Sequence, residues 1–566
     1  MIRFRRQKKK ERNKMKKESK DLFLAIVCTL LVFFALDYFF PRKPVSTVAV
    51  PSEEVAEQVV QKENLPTEVQ NSANDAVLKI QSDTLSGEIR LRGAVFNKLT
   101  FLKYQETVAK DSPDVTFLSP SYYAYFGVNG SADLDVPNKD SVWSANTDVL
   151  TPTSPVTLSW TNAQGVVFNR TITLDDKYMF TITDSVQNNS DKAISVAHTG
   201  VLNRLNPALD GAVSVHQGFV GVFDGKLKEE KYASIEDETL TFDSNGGWMG
   251  LTDKYWLSAF AFNPALSGIQ TKVSYLPEGK DKLFKARFET LTRKINAGEK
   301  AENVTYFFAG PKDLDLITAY EETLGIDKFE LAIDFGWYYF LTKPFLHILS
   351  WLYGMVGNMG VAILIFATLL RILLLPIAGK SFESMAKMRK IQPRLAELQV
   401  RYKNDRLRLN QEMLALYKKE QVNPASGCLP MLIQIPVFFS LYKVLSVSIE
   451  MRQAPFFGWI HDLSVRDPSS VFTLFGLVPW PIPSFLNIGI WPVLMGITMY
   501  LQQKMNPQAA PASQQAADTM KMMKWMPVIF TFMMGNFASG LVIYWTWSNL
   551  LSIIQQRYVM RKYGVK

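Results

Sequence analysis

Gly360-Val-Ala-Ile-Leu-Ile-Phe-Ala-Thr-Leu-Leu-Arg371-Ile-Leu-Leu-Leu-Pro376 is apolar enough and long enough to enter a bilayer, yet it carries an arginine with apolar residues on both sides. At mid-membrane such a residue costs roughly 2.5–3.5 kcal/mol on an insertion scale. No carboxylate neighbours it within the run. At 1.5 Å per residue, Arg371 lies about 16 Å along the helix from Gly360, inside the hydrocarbon and nearer the end that leads to Lys380. A charge there needs water, a partner or an escape route. The run therefore predicts a core span over 359–378 and a polar pocket around Arg371.

Downstream, 381–422 is highly charged but still periodic. Met385, Met388, Leu395, Leu398 and Tyr402 mark one helix, bent near Pro393. Leu407, Met413, Leu414 and Tyr417 mark a second, after a turn at Lys403-Asn-Asp405. This hairpin carries Lys387, Arg389, Lys390, Arg394, Arg401, Arg406 and Arg408, so the positive-inside rule makes it cytoplasmic. Four more spans are expected: 427–447, 488–502, 525–537 and 538–556. An exterior loop over 448–486 and a polar cytoplasmic loop over 503–524 separate them. The span at 525–537 is short enough to thin the bilayer around it. A basic tail, 557–566, closes the chain with Arg557, Arg561, Lys562 and Lys566.

Upstream, 1–21 is strongly basic and 22–40 is a nearly unbroken apolar run of about the length a span needs, roughly 20 residues. No clear small-residue cleavage site follows, so the run reads as an uncleaved anchor with its amino end in the cytoplasm. The basic arm is explained by charge-driven topology, and no specific nucleic-acid sequence is expected as a partner. Residues 44–76 are rich in Pro, Glu, Gln and Ser and read as a linker. From 77 to 310 the pattern alternates, as in Val156-Thr-Leu-Ser-Trp160 and Thr171-Ile-Thr-Leu174, with turn signals such as Asn162-Ala-Gln-Gly165 between runs. This predicts an antiparallel all-β sandwich, a domain over 77–330 ending in a helical stretch at 311–324. The aromatic stretch 335–353 predicts an amphipathic helix on the outer membrane surface.

Length alone suggests about four domain-sized units in 566 residues. The net charge of +9 comes from 62 Lys+Arg against 53 Asp+Glu and is concentrated in the segments above. The two cysteines, Cys28 and Cys428, lie far apart in or beside apolar runs and mark neither a disulfide framework nor a metal site. His198 and His216 belong to no close catalytic constellation. Walker, HExxH and paired-carboxylate signatures are absent from the spans, which argues against a pump or an intramembrane protease. No cofactor is expected.

Polar residues within spans face a bundle interior, since lipid offers no hydrogen bonds. The candidate set is Arg371 with Thr368 three residues earlier, Gln434 and Pro436 in the second core span, and Tyr544, Trp545, Ser548 and Asn549 in the last. If they converge, they line a hydrophilic groove open to the cytoplasm, suited to an acidic or polar peptide, with apolar helices beside it to receive a hydrophobic segment. The competing readings are an Arg371 that snorkels to the headgroups, polar residues that serve as interhelical glue, an anion transporter using Arg371, and a membrane-anchored periplasmic glycan-binding protein.

Ser384-Met-Ala-Lys-Met-Arg389, Gln411-Glu-Met-Leu-Ala-Leu-Tyr417, Gly427-Cys-Leu-Pro430, Leu432-Ile-Gln-Ile-Pro436, Met451-Arg-Gln-Ala-Pro455, Trp459-Ile-His-Asp-Leu463, Trp525-Met-Pro-Val-Ile-Phe530 and Ser539-Gly-Leu-Val-Ile-Tyr544 together closely resemble the YidC membrane protein insertases. The match runs from about residue 335 to the carboxyl end, and the anchor and sandwich resemble the Gram-negative form. The resemblance implies a polytopic α-helical membrane protein with six spans, a five-helix insertase core and a periplasmic β-supersandwich. It implies a non-enzymatic insertase and chaperone of nascent membrane proteins in the bacterial inner membrane, both termini cytoplasmic, working alone or with the Sec translocon. Arg371 would be the charge of its groove, and Gln434 and Pro436 match the family's contact region. The hairpin and basic tail would meet the ribosome or a targeting receptor. Two positions depart from the pattern: Trp545 stands where a second tyrosine is familiar, and Thr368 is one position off the expected threonine. The exterior loop over 468–487 is longer than usual.

Overall fold

The computed structural model describes residues 75–208, 215–264, 266–402, 405–422, 429–473, 478, 487–506 and 524–564. The basic arm 1–21, the anchor 22–40, most of the linker 44–76 and most of the loop 503–524 lie outside them, as do Cys28 and Cys428.

Alternation builds the first half. In Val166–Leu174 every second residue is buried: Val166, Phe168, Arg170, Ile172 and Leu174. That strand pairs antiparallel with Met179–Asn188, which pairs in turn with Lys300–Pro311. Among the described residues the strands form one sheet of eleven and one of nine. The sheets pack face to face through phenylalanines. Phe96 of one meets Phe180 and Phe307 of the other edge-on at 5.3 Å, and Phe126 meets Phe260 at 5.0 Å, the geometry that ring quadrupoles favour.

Register also drives Arg170 inward, directly opposite Asp184 on the neighbouring strand. Its Nε donates to Asp184 at 2.6 Å, its Nη1 donates to the Phe126 carbonyl at 3.0 Å, and its guanidinium lies over the Trp143 ring. A buried charge is tolerated only when paired and hydrogen-bonded. His198 Nδ1 lies 3.8 Å from the same carboxylate, so this histidine belongs to the sandwich's structural core.

After the sheets, α1 (Leu314–Leu324) starts at Asp313, which accepts from the Leu316 amide, and stops at Gly325, whose φ of 67° favours glycine. α2 (Tyr339–Val356) buries Phe345, Leu346, Leu349 and Leu352, and leaves Phe340 and Trp351 more than half exposed. Exposed aromatics of this kind mark a surface that meets another protein or a membrane. α3 (Met359–Leu373) opens at Asn358, which caps the Val361 amide.

The span expected over 359–378 is broken. α3 ends at Leu373, and α4 (Leu375–Arg401) departs at 66°. Pro376 explains the break: it lacks an amide hydrogen and suits the first turn of a new helix. α4 then runs on through Pro393 as one element. It packs against α5 (Arg406–Lys419) through Met388, Ile391, Leu395, Met413 and Tyr417. Leu407 and Leu414, read from the sequence as part of that seam, are exposed instead.

The described helices that follow are α6 (Leu429–Val447), with Pro436 inside it, α7 (Ile490–Met505), α8 (Met526–Met534) and α9 (Ser539–Lys562). Among the described residues no single helix is long and apolar enough to cross a membrane, but the bent α3–α4 pair passes that test. The described part of the loop over 448–486 is held by Asp467, buried, which accepts from Trp459 Nε1 at 3.0 Å and from the Trp491 amide of α7 at 2.9 Å.

Among the described residues, the sandwich is fastened to the helices at several points. Asp334, just before α2, accepts from Lys443 of α6 at 2.5 Å and from the His216 amide at 2.7 Å. After α6, Gln453 donates to the Gln105 carbonyl at 2.7 Å and Arg452 covers the Trp256 ring. Burial alone pushes the Asp334 carboxyl up, but Lys443, the His216 amide and Lys312 together hold it below the usual carboxylate range. A depressed pKa contributes stability that is present above the unfolded value and lost as pH falls through the folded one. Corrected for the intrinsic pH dependence of amide exchange, protection over 329–336 should therefore be high at neutral pH and fall in acid, below about pH 4. Lys443→Met, which leaves Asp334 buried without its cation, should cost about 3–5 kcal/mol in detergent unfolding.

Candidate functional site

α9 is the axis of the helical half and packs against α3, α4, α6 and α7. At 100° per residue its successive positions point at different neighbours. Tyr544 and Ser548, four apart, share one face. Asn549 and Trp545 share the next, and Trp547 lies on the other side.

The first face makes a polar line across three helices. Arg371 of α3 donates to Ser548 Oγ from Nε at 3.1 Å and from Nη2 at 2.7 Å. One turn earlier on α9, the Tyr544 hydroxyl accepts from Gln434 Nε2 of α6 at 3.0 Å. Tyr544 and Ser548 are buried, whereas Arg371 and Gln434 are half-buried. Among the described residues no carboxylate pairs with Arg371. Its hydrogen-bond partner is a neutral hydroxyl, so its positive charge is oriented but not neutralised.

The other candidates go elsewhere. Thr368 donates to the Leu364 carbonyl at 2.8 Å and accepts from Trp547 Nε1 at 3.0 Å, so it ties α3 to α9 beside the polar line. Asn549 donates to Thr498 of α7 at 3.3 Å. Trp545 packs on Phe438 of α6, ring centroids 4.5 Å apart, and on Phe530 of α8 at 5.7 Å. Pro436 lies within α6, half-buried, two residues beyond Gln434. Sequence reasoning missed Trp547, Thr498 and Gln556, whose Nε2 donates to Asn506 at 3.0 Å. For Gln556 the signal was available: a polar residue on the same face as Asn549, two turns on.

His198 and His216 are not brought together as a catalytic pair. His198 faces Asp184, while His216 lies 2.8 Å from the Phe219 carbonyl through Nε2. Among the described residues no group of three His, Cys, Asp or Glu could hold a metal.

Comparison with known proteins follows the same division of the chain. Residues 77–348 match the family described as YidC periplasmic domain, and residues 351–566 match that described as 60Kd inner membrane protein. The membrane protein insertase YidC of Beijerinckia indica subsp. indica is 43% identical over 598 residues, covering 98% of this chain and 97% of that one. That of Rickettsia conorii is 43% identical over 556 residues, covering 95% and 98%. A crystal structure of an active YidC insertase with the first transmembrane domain resolved aligns with 94% of this chain and 98% of its own, at 16% identity and a TM-score of 0.36.

The Arg371–Ser548 contact can be measured directly. In a double-mutant cycle of Arg371→Met and Ser548→Ala, thermal unfolding in detergent should give a coupling of about 0.5–3 kcal/mol. Tyr544→Phe, which strands Gln434 Nε2, should cost about 1–3 kcal/mol.

Proposed function

Because the chain belongs to the YidC family of membrane protein insertases, bacterial inner-membrane proteins with a periplasmic domain, we propose that the polar line from Arg371 to Gln434 is the groove through which it works. The protein is an insertase and not an enzyme, and nascent membrane proteins are its substrates. The task is to lower the barrier to moving a polar tail across a dry layer roughly 30 Å thick. α3 has 15 residues, about 22 Å of helix, and its bend at Leu374 leaves Arg371 near that end. A polar tail entering from the cytoplasm meets the guanidinium, then the Ser548 and Tyr544 hydroxyls and the Gln434 amide, in place of lost water. The hydrophobic segment that follows leaves along the exposed apolar residues Leu369, Ile372 and Leu373 into lipid. Pro436 and Trp545 line the apolar side of that path, Thr368 positions α3, and Asn549 braces α9 against α7.

In this reading α3, α6, α7, α8 and α9 form a five-helix core, and the anchor at 22–40 makes six spans with both termini cytoplasmic. The two-sheet domain, a β-supersandwich, is periplasmic. The basic hairpin α4–α5 and the tail 557–566 meet the ribosome or a targeting receptor, and the Sec translocon is a partner for some substrates. The surrounding bilayer thins to meet the short helices.

One observation carries the site assignment: Arg371 is held by a neutral hydroxyl and keeps its charge for a guest. The test is insertion into proteoliposomes of a single-span substrate with an acidic tail beside one with an uncharged tail. Arg371→Ala should slow the acidic-tailed substrate about tenfold, equivalent to about 1.4 kcal/mol, and slow the uncharged one less. Arg371→Lys should restore much of the loss. Equal insertion of both substrates by wild type and Arg371→Ala would remove Arg371 from the mechanism.

A further inference from the structure

Outside the polar line, the helices leave a second concavity. It is a groove of about 600 Å3 between α7 and α8, open along one side. Ile497 and Val528 form its walls and are about half exposed, and Phe532 closes its far end. Its floor is low because Gly496 packs against Thr531: a Cβ on Gly496 would fall 2.0 Å from Thr531 Oγ1. The near end differs in chemistry, with Tyr500, Lys524 and Trp525 together there. Lys504, exposed, stands one turn beyond Tyr500 on the same face of α7. Among the described residues no acidic one lines the groove.

We propose that this groove holds one anionic phospholipid, with an acyl chain along Ile497 and Val528 and its phosphate at Lys504 and Lys524. The order of the lining matches a lipid from tail to headgroup. An apolar trough ends in an amphipathic tyrosine and tryptophan, which favour the headgroup level, and then in lysines that attract its charge. The lysines at one end argue against an apolar substrate helix as the occupant, since such a helix offers them no anion. Bound there, the lipid would fill the space between α7 and the short α8.

The inference rests on the reading above that α7 and α8 lie in the bilayer, and the test separates the two. The full-length chain is extracted in detergent, delipidated and titrated with phosphatidylglycerol or with phosphatidylcholine of the same acyl chains, with binding read by native mass spectrometry. Wild type should retain one phosphatidylglycerol about tenfold more tightly than phosphatidylcholine. K504Q/K524Q should abolish that preference and leave phosphatidylcholine binding unchanged. I497W/V528W, at exposed positions that tolerate bulk, should cut binding of both lipids about tenfold. Equal retention of the two lipids by wild type, or undiminished binding in I497W/V528W, overturns the proposal. So does a photoreactive group at Ile497 that captures a ribosome-bound substrate chain in place of lipid. If the wild-type chain resists carbonate extraction from membranes yet shows no lipid preference, the lipid site falls and the membrane reading stands.

Discussion

A guanidinium among apolar helices must find acceptors, because lipid supplies none. Arg371 finds one, the Ser548 hydroxyl, and that choice shapes the helical half. A carboxylate in the same place would have neutralised the charge and sealed the bundle. The hydroxyl fixes the side chain and leaves the charge uncompensated. The arrangement requires α9 to sit between α3 and α6, so that Ser548 and Tyr544 reach Arg371 and Gln434 from one face. The other faces of α9 are then committed to holding neighbours: Trp547 to Thr368, Asn549 to Thr498, and Trp545 to Phe438.

The sandwich solves the same problem the opposite way. Arg170 is also buried, but its carboxylate partner is opposite it in the ladder, so its charge is paired within the protein. The contrast sets a charge-paired arginine beside one held by a neutral hydroxyl within a single chain. Between them, Asp334 and Lys443 link the two halves through an ion pair, at the point where the chain turns from sheets to helices.

The outward surfaces complete the picture. α2 and α3 expose Phe340, Trp351, Leu369 and Ile372, residues whose burial on a soluble protein would be worth roughly 1.5–3 kcal/mol each. In the proposed membrane setting these side chains would face hydrocarbon, and the short helices behind them would bring water and headgroups nearer to Arg371 than a full-thickness bilayer does.

Much of this was legible along the chain. Alternation announced strands such as Val166–Leu174, and apolar periodicity announced the helices. Polar residues inside apolar runs singled out Arg371, Gln434, Tyr544 and Ser548, because only a partner can make such residues affordable. The break at Leu374 was hidden by the unbroken apolar run on both sides of it, although Pro376 carried the cause. The exposure of Leu407 and Leu414 was hidden because periodicity names a face without saying how wide the opposing helix is. The sequence by itself determined which elements form and which side chains need partners, since both follow from local dihedral preference and solvation. Only the tertiary structure decided the pairings, Arg371 with Ser548 at 177 residues' separation and Thr368 with Trp547. These depend on the rotation of one helix against another, which is set by packing and is written in no single stretch of chain.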